Sequence, residues 1–249
     1  TQTGKRWFMV QHIANKSDQE KLIQYNMVFN RNGLTASYAP SRITGVAKWV
    51  NTSASINRLD LRNFNSGTIT SDSEVVVLGW DPTDTHTDNF WEELASVELE
   101  SGNVRLSSGT ITAKKYLWFQ YYIKGASSCR QKIQFNGSTA SDYAFRYSAN
   151  GAVDSASDGT AYPDINASYA YANNNKFGNM FVINNASNEK LLTGNSMEIT
   201  SGTGSAINTM ELAGKWTNTS DQITQIDIWA DGGSTAYDTG SILKVWGHD

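Results

Sequence analysis

The 249 residues carry a formal net charge of −4, with 39% apolar, 18% charged and 11% aromatic side chains. That apolar share suffices for a packed core, and the length suits one large or two small domains. Lys and Arg are scattered rather than clustered, which argues against nucleic-acid binding, and no run is long enough to cross a bilayer.

In chain order, short runs of alternating apolar and polar residues predict half-buried strands at Ile56–Leu61, Glu74–Leu78, Tyr116–Ile123, Lys132–Phe135, Ile223–Ile228 and Ile242–Val245. The stretch Tyr116-Leu-Trp-Phe-Gln-Tyr-Tyr-Ile is aromatic throughout and predicts a central strand buried on both faces. Turns are marked by Asn65-Ser-Gly, Asn136-Gly, Asn150-Gly, Asp158-Gly and Asp231-Gly-Gly, where Asn and Gly supply positive φ. Asn89-Phe-Trp-Glu-Glu-Leu-Ala predicts one or two turns of helix. The polar run Asp81–Asp88 predicts a linker, and residues 150–179 a long contact loop.

One segment occurs twice. Lys48-Trp-Val-Asn-Thr-Ser53 with Ile56, Leu59-Asp-Leu61, Ser73, Val75, Val77 and Gly79 matches Lys215-Trp-Thr-Asn-Thr-Ser220 with Ile223, Ile226-Asp-Ile228, Ser241, Leu243, Val245 and Gly247. More weakly, Glu20–Ile23 matches Glu189–Leu192, and Trp7–Val10 falls near Met180–Ile183. A long repeat fixes architecture before any local pattern does. Residues 83–171 have no counterpart in the first copy, so the expected organisation is a partial domain at 1–82, a linker at 83–89 and a complete domain at 90–249. The partial copy would expose apolar faces and strand edges, so a partner should complete it: a neighbouring subunit, the second domain, or a segment removed by cleavage. Trp49 and Trp216, at matching positions, should both plug cores.

Catalytic and metal chemistry find little footing. Asp81, Asp84 and Asp88, or Asp154 and Asp158, lack the spacing of a calcium loop. Glu92, Glu93, Glu98 and Glu100 do not fix the separation that glycosidic cleavage requires. His12, His86 and His248 are isolated, no nucleophile elbow accompanies the many serines, and Cys129 has no second cysteine to pair with. The chain is therefore expected to be no enzyme and to need no metal or cofactor. The candidate binding residues are the loop aromatics Tyr162, Tyr169, Tyr171, Trp229 and Tyr237, which could anchor a protein interface or stack on sugar rings.

The paired Gly-Lys-Trp-x-Asn-Thr-Ser and Gly-Ser-x-Leu-x-Val-x-Gly halves, with Thr112-Ala-Lys-Lys-Tyr-Leu, Phe135-Asn-Gly, Tyr143-Ala-Phe-Arg-Tyr-Ser and Asn150-Gly, resemble β-sandwich structural proteins of tailed bacteriophage particles, found as capsid decoration, head-fibre or tail-associated subunits. The resemblance runs through residues 90–249, while the first copy carries only its closing half. It implies an all-β fold of tandem jelly-roll-like antiparallel sandwiches, a place on the virion exterior, and no catalysis. The partners it implies are further copies of the chain, a trimer being one such assembly, and other virion proteins. Neither nucleic acid nor membrane is an expected partner. A glycan-binding module or adhesin, reading host-surface sugars through the loop aromatics, is the alternative.

Overall fold

The computed structural model describes residues 6–30, 35–63, 67–79, 85, 89–125, 129–166, 174–199, 206–231 and 237–249. These residues form fourteen strands and no helix, so the fold is all-β. Strands β1 (Trp7–Ala14), β2 (Lys21–Phe29) and β3 (Ser41–Trp49) make a three-stranded sheet in sequential order. The remaining strands are β4 (Glu92–Glu98), β5 (Arg105–Ser107), β6 (Tyr116–Ile123), β7 (Arg130–Phe135), β8 (Tyr143–Ala149), β9 (Ser155–Thr160), β10 (Lys176–Ile183), β11 (Lys190–Glu198), β12 (Asn208–Trp216), β13 (Ile226–Asp231) and β14 (Ile242–His248). Eight of them form an antiparallel sheet in the order β4-β14-β6-β10-β11-β12-β8-β9, and three form the antiparallel sheet β5-β13-β7.

Alternation builds the core. Leu117, Phe119, Tyr121 and Ile123 of β6 are buried with Ile226, Ile228 and Ala230 of β13 and Ile133 and Phe135 of β7, so the two sheets share one apolar cluster. The turn after β8 is set by Asn150 and Gly151 at φ of 52° and 72°, the left-handed pair a two-residue hairpin turn demands.

Three local expectations are corrected. The predicted helix at 89–95 is strand β4, paired with β14. Its residues suit a helix, but β14 offers a row of backbone groups that only a strand can satisfy, and this outweighs weak propensity. Strand β6 is central but not buried on both faces: Tyr116, Trp118 and Gln120 are half-buried, and Tyr122 is exposed. The loop expected at 150–179 contains β9 and the first part of β10.

Two compact units are separable: Thr1–Gln11, Tyr25–Gly45 and Trp91–Asp249 make one, and His12–Gln24 with Val46–Phe90 the other. Within the first unit, Val28 and Phe8 pack with Leu191, Ala213 and Ile183. Arg42 is held between Glu211 and Asp154, the latter at 2.8 Å, and the Arg146 guanidinium donates to the Pro40 carbonyl at 3.0 Å. Arg6 and Asn30 both donate to the buried Glu189 carboxylate. The linker expected at 83–89 lies almost wholly outside the described residues.

The duplicated sequence is duplicated in geometry. β1, β2 and β3 have the same lengths as β10, β11 and β12, and begin 169, 169 and 167 positions earlier. This register aligns Trp7–Val10 with Lys176–Asn179 rather than with Met180–Ile183. The Lys21 ammonium donates to the carbonyls of Gln19 and Asn51 at 2.8 Å each and lies 5.8 Å from the Trp49 ring centre. Lys190 donates to Asn188 and Asn218 at 3.0 and 2.9 Å and lies 5.6 Å from the Trp216 ring. Asn15 brackets the Ile56 backbone, accepting from its N–H at 2.7 Å and donating to its C=O at 2.9 Å. Asn184 does the same to Ile223 at 2.7 and 3.1 Å.

Beyond β3 the copies part. The strands expected at Ile56–Leu61 and Glu74–Leu78 do not form. Leu59, Leu61, Val75 and Val77 are 48%, 43%, 58% and 65% exposed, whereas their counterparts Ile226, Ile228, Leu243 and Val245 are fully buried. Burying such a side chain is worth roughly 1.5–3 kcal/mol, so four exposed together are a large unused driving force. Trp216 is buried, but Trp49 is 40% exposed, which corrects its expected role as a core plug. The physical reason is the same throughout. β13 lies between β5 and β7, and β14 between β4 and β6, and among the described residues no such strands flank 56–61 or 73–79.

Candidate functional site

Of the five aromatics singled out, the structure brings two together. Tyr162 meets Trp229 edge-to-face with ring centres 4.7 Å apart. Trp229 projects from the outward face of β13, because Ile228 and Ala230 on either side point into the core. Tyr162 follows β9 and is fixed by a turn in which its own N–H donates to the Thr160 hydroxyl at 3.3 Å. The Lys132 ammonium lies 5.8 Å from the Tyr162 ring centre and pairs with Asp231 at 2.9 Å. Arg130 pairs with Asp164 at 3.3 Å. Burial pushes the Asp164 carboxyl up, while the Lys132 and Arg130 cations pull it back. A cation over one ring and paired carboxylates around it leave little unused chemistry, except that the Trp229 indole N–H is buried without an acceptor among the described residues. Such a donor at a half-buried aromatic is what a docked carbonyl or hydroxyl would satisfy.

The other three candidates stand apart. Tyr237 is fully buried in the main core, bridging by backbone to Asn103 and Gly125, and so presents no surface. Its neighbours in sequence are polar, which hid its burial. Tyr169 and Tyr171 lie outside the described residues.

Sequence reasoning missed an aromatic ladder on the outward face of the large sheet. Cross-strand pairing places Trp118 between Trp246 and Phe181, with ring centres 4.5 and 5.9 Å away, both stacked. Trp91 leans on it at 5.8 Å. The Trp118 indole N–H donates to Asn179 at 2.6 Å, and Gln120 donates to the same oxygen at 3.2 Å. Alternate aromatics on β6 were the signal, read as burial on both faces instead of a stacked outer row. Because the rings press their faces against one another, they form a ladder of edges rather than a flat sugar platform.

A second feature without a sequence signal is a buried polar group at one end of the core. The Lys176 ammonium, the Glu198 Oε2 and the Tyr237 hydroxyl are buried with no hydrogen-bond partner among the described residues. Asn174 donates to Glu198 Oε1 at 3.1 Å, and Gln131 donates to the Cys129 sulfur at 3.1 Å. Burial lowers the Lys176 pKa, against the pull of Glu198 and Cys129, and raises those of Cys129 and Tyr237. A lysine whose folded pKa is depressed binds fewer protons than in the unfolded chain. It therefore costs stability at neutral pH, and the cost fades as pH climbs toward the ordinary value of 10.5. Lys176→Met is expected to show a smaller gain in stability than the parent as pH rises toward the ordinary lysine pKa, read by denaturant melts at each pH. An equal gain in both proteins would refute this assignment.

Three of the remaining candidates are held in ion pairs. Glu92 pairs with Lys114 at 3.2 Å and Glu93 with Lys244 at 3.4 Å, and Asp154 holds Arg42. Among the described residues no three His, Cys, Asp or Glu side chains are grouped to hold a metal. His86 and Asp81, Asp84 and Asp88 lie outside those residues. In comparison with known proteins, no family model, no curated protein and no solved structure matches the chain.

Proposed function

We propose that the chain is a non-enzymatic structural subunit of a bacteriophage particle, a capsid decoration, fibre or tail-associated protein on the virion exterior. It acts by associating with itself and with other virion proteins. In this reading it is a tandem of jelly-roll-like antiparallel β-sandwiches, the first truncated. The observation that carries the proposal is the first copy's row of exposed apolar side chains, Leu59, Leu61, Val75 and Val77, whose counterparts form a core. Exposed apolar rows of this kind mark assembly surfaces. The low charge of the chain and the half-buried Tyr162–Trp229 pair support the same reading.

The unsatisfied Trp229 indole N–H beside Tyr162 favours a second reading, a glycan-binding module, because a sugar hydroxyl would satisfy it as well as a protein carbonyl does. Sedimentation with an oligosaccharide array separates the two. The expected result is a self-associated species with no sugar retained. A strict monomer whose sugar binding is lost in Trp229→Ala would overturn the structural-subunit reading.

A further inference from the structure

Residues of the first copy are held against the second by a contact whose two halves the repeat writes twice. Phe8 on β1 and Val28 on β2 pack with Leu191 on β11, Ala213 on β12 and Ile183 on β10, and Val28, Leu191 and Ala213 are buried. Arg6 and Asn30, two residues from Phe8 and Val28, donate to Glu189, two residues before Leu191. The Phe8–Val28 side acts as a knob and the Leu191–Ala213 side as its seat.

Each half recurs in the other copy. At the offsets of 169 for β1 and β2 and 167 for β3, the knob Phe8 and Val28 corresponds to Phe177 and Met197, and the seat Leu191 and Ala213 to Leu22 and Val46. Phe, Leu and the seat glutamate keep their identity, since Glu189 corresponds to Glu20. Phe177 and Met197 are cross-strand partners on one face of the sheet, and Tyr122, opposite Phe177 on β6, widens the patch. These second halves are open: Met197 is 39% exposed, Ile199 two residues on is 53% exposed, and Leu22 and Val46 are 58% and 82% exposed. A contact about a two-fold axis buries both halves at once, because each partner gives and receives the same surface. Here one direction is satisfied and its reciprocal is open, so the contact runs head to tail.

We infer that the Phe177–Met197 knob of one chain docks on the Leu22–Val46 seat of the next, repeating between chains the contact that Phe8 and Val28 make within one. This rests on the self-association reading above and names the surfaces it uses. Such a heterologous joint builds a ring if its rotation closes and a filament if it does not. The drive is apolar: Met197, Ile199, Leu22 and Val46 leave water together at each joint. Arg6 and Asn30 have Asn175 and Ile199 at the corresponding positions, so the joint between chains lacks the ion pair that Arg6 makes with Glu189. Association is therefore expected to strengthen with added sulfate, as apolar burial does, rather than weaken as an ion-paired joint would.

The test is sedimentation of the full chain and of two single variants, Met197→Asp in the knob and Val46→Asp in the seat. The parent is expected to form species that grow with concentration. Each variant alone should self-associate roughly 30-fold or more weakly, because it keeps one usable end. Their equimolar mixture should form a dimer and nothing larger, joined through the knob of Val46→Asp and the seat of Met197→Asp. Should either substitution lower the melting temperature, Ile199→Asp or Leu22→Asp takes its place on the same patch. Parent-like association in both variants overturns this surface and leaves the assembly reading standing. Loss confined to one variant also overturns it, by showing a two-fold contact, and so does a mixture that stays monomeric. A monomeric parent overturns the assembly reading along with it.

Discussion

Trp216→Ala is expected to destabilise the main folding unit by about 3–5 kcal/mol, whereas Trp49→Ala, at the matching repeat position, should cost less than about 1 kcal/mol. Trp216 is buried against Phe135 and Tyr143, donates to Asp142 and underlies the buried Lys190. Removing it opens a cavity and leaves the Asp142 carboxylate and the Lys190 ammonium short of partners at once. Burial already pushes the Asp142 carboxyl up, so it tolerates the loss of a donor poorly. Trp49 keeps the contact with its lysine but is 40% exposed, so its removal leaves no comparable cavity. For a chain of this length, the difference corresponds to roughly 10 °C in Tm. Calorimetry of the two variants decides it, and equal shifts would mean that the first copy already owns a closed core.

Asn184→Ala should be the next most damaging single change outside the apolar core, costing about 3 kcal/mol or more. Its fully buried amide serves the N–H and C=O of Ile223 and the C=O of Lys114. Alanine would leave those backbone groups without partners in a dry interior. Asn15→Ala removes the equivalent clamp on Ile56, but Asn15 is exposed and water can take over, so about 0.5 kcal/mol is expected. Urea melts of both variants give the comparison. A large loss at Asn15 would show that the first copy depends on this clamp for its own folding, against the exposure of Leu59, Leu61, Val75 and Val77.

Much of the fold was legible in particular residues. The alternation in Tyr116–Ile123 gave β6 with its true limits, and Ile242–Val245 gave most of β14. Asn136 and Asn150 marked turns correctly, because a positive φ at a non-glycine residue strongly favours Asn. The helix expected around Glu92 failed because short-range composition carries no record of a strand edge contributed from the far end of the chain. The outer face of β6 is half-buried rather than buried for a similar reason. Aromatic residues read alike whether they enter a core or stack in an outer row, and only the cross-strand neighbours Phe181 and Trp246 distinguish the two.

The candidate site was less legible than the fold. Tyr162 and Trp229 stood out as aromatics in polar surroundings, but their contact needs the turn after β9 to meet the outward face of β13. Tyr237 had the same local signature and is fully buried. Lys176 and Glu198, 22 positions apart, could be paired only through the register of β10 with β11.

The sequence by itself determined the all-β class and the internal repeat, because side-chain alternation and self-similarity are written along the chain. Tertiary structure alone decided which members of the repeat are satisfied. Leu61 and Ile228 are near-identical in chemistry and local context, yet one is 43% exposed and the other fully buried. Burial is a property of what lies opposite a strand, and among the described residues no strand pairs with 56–61 or 73–79.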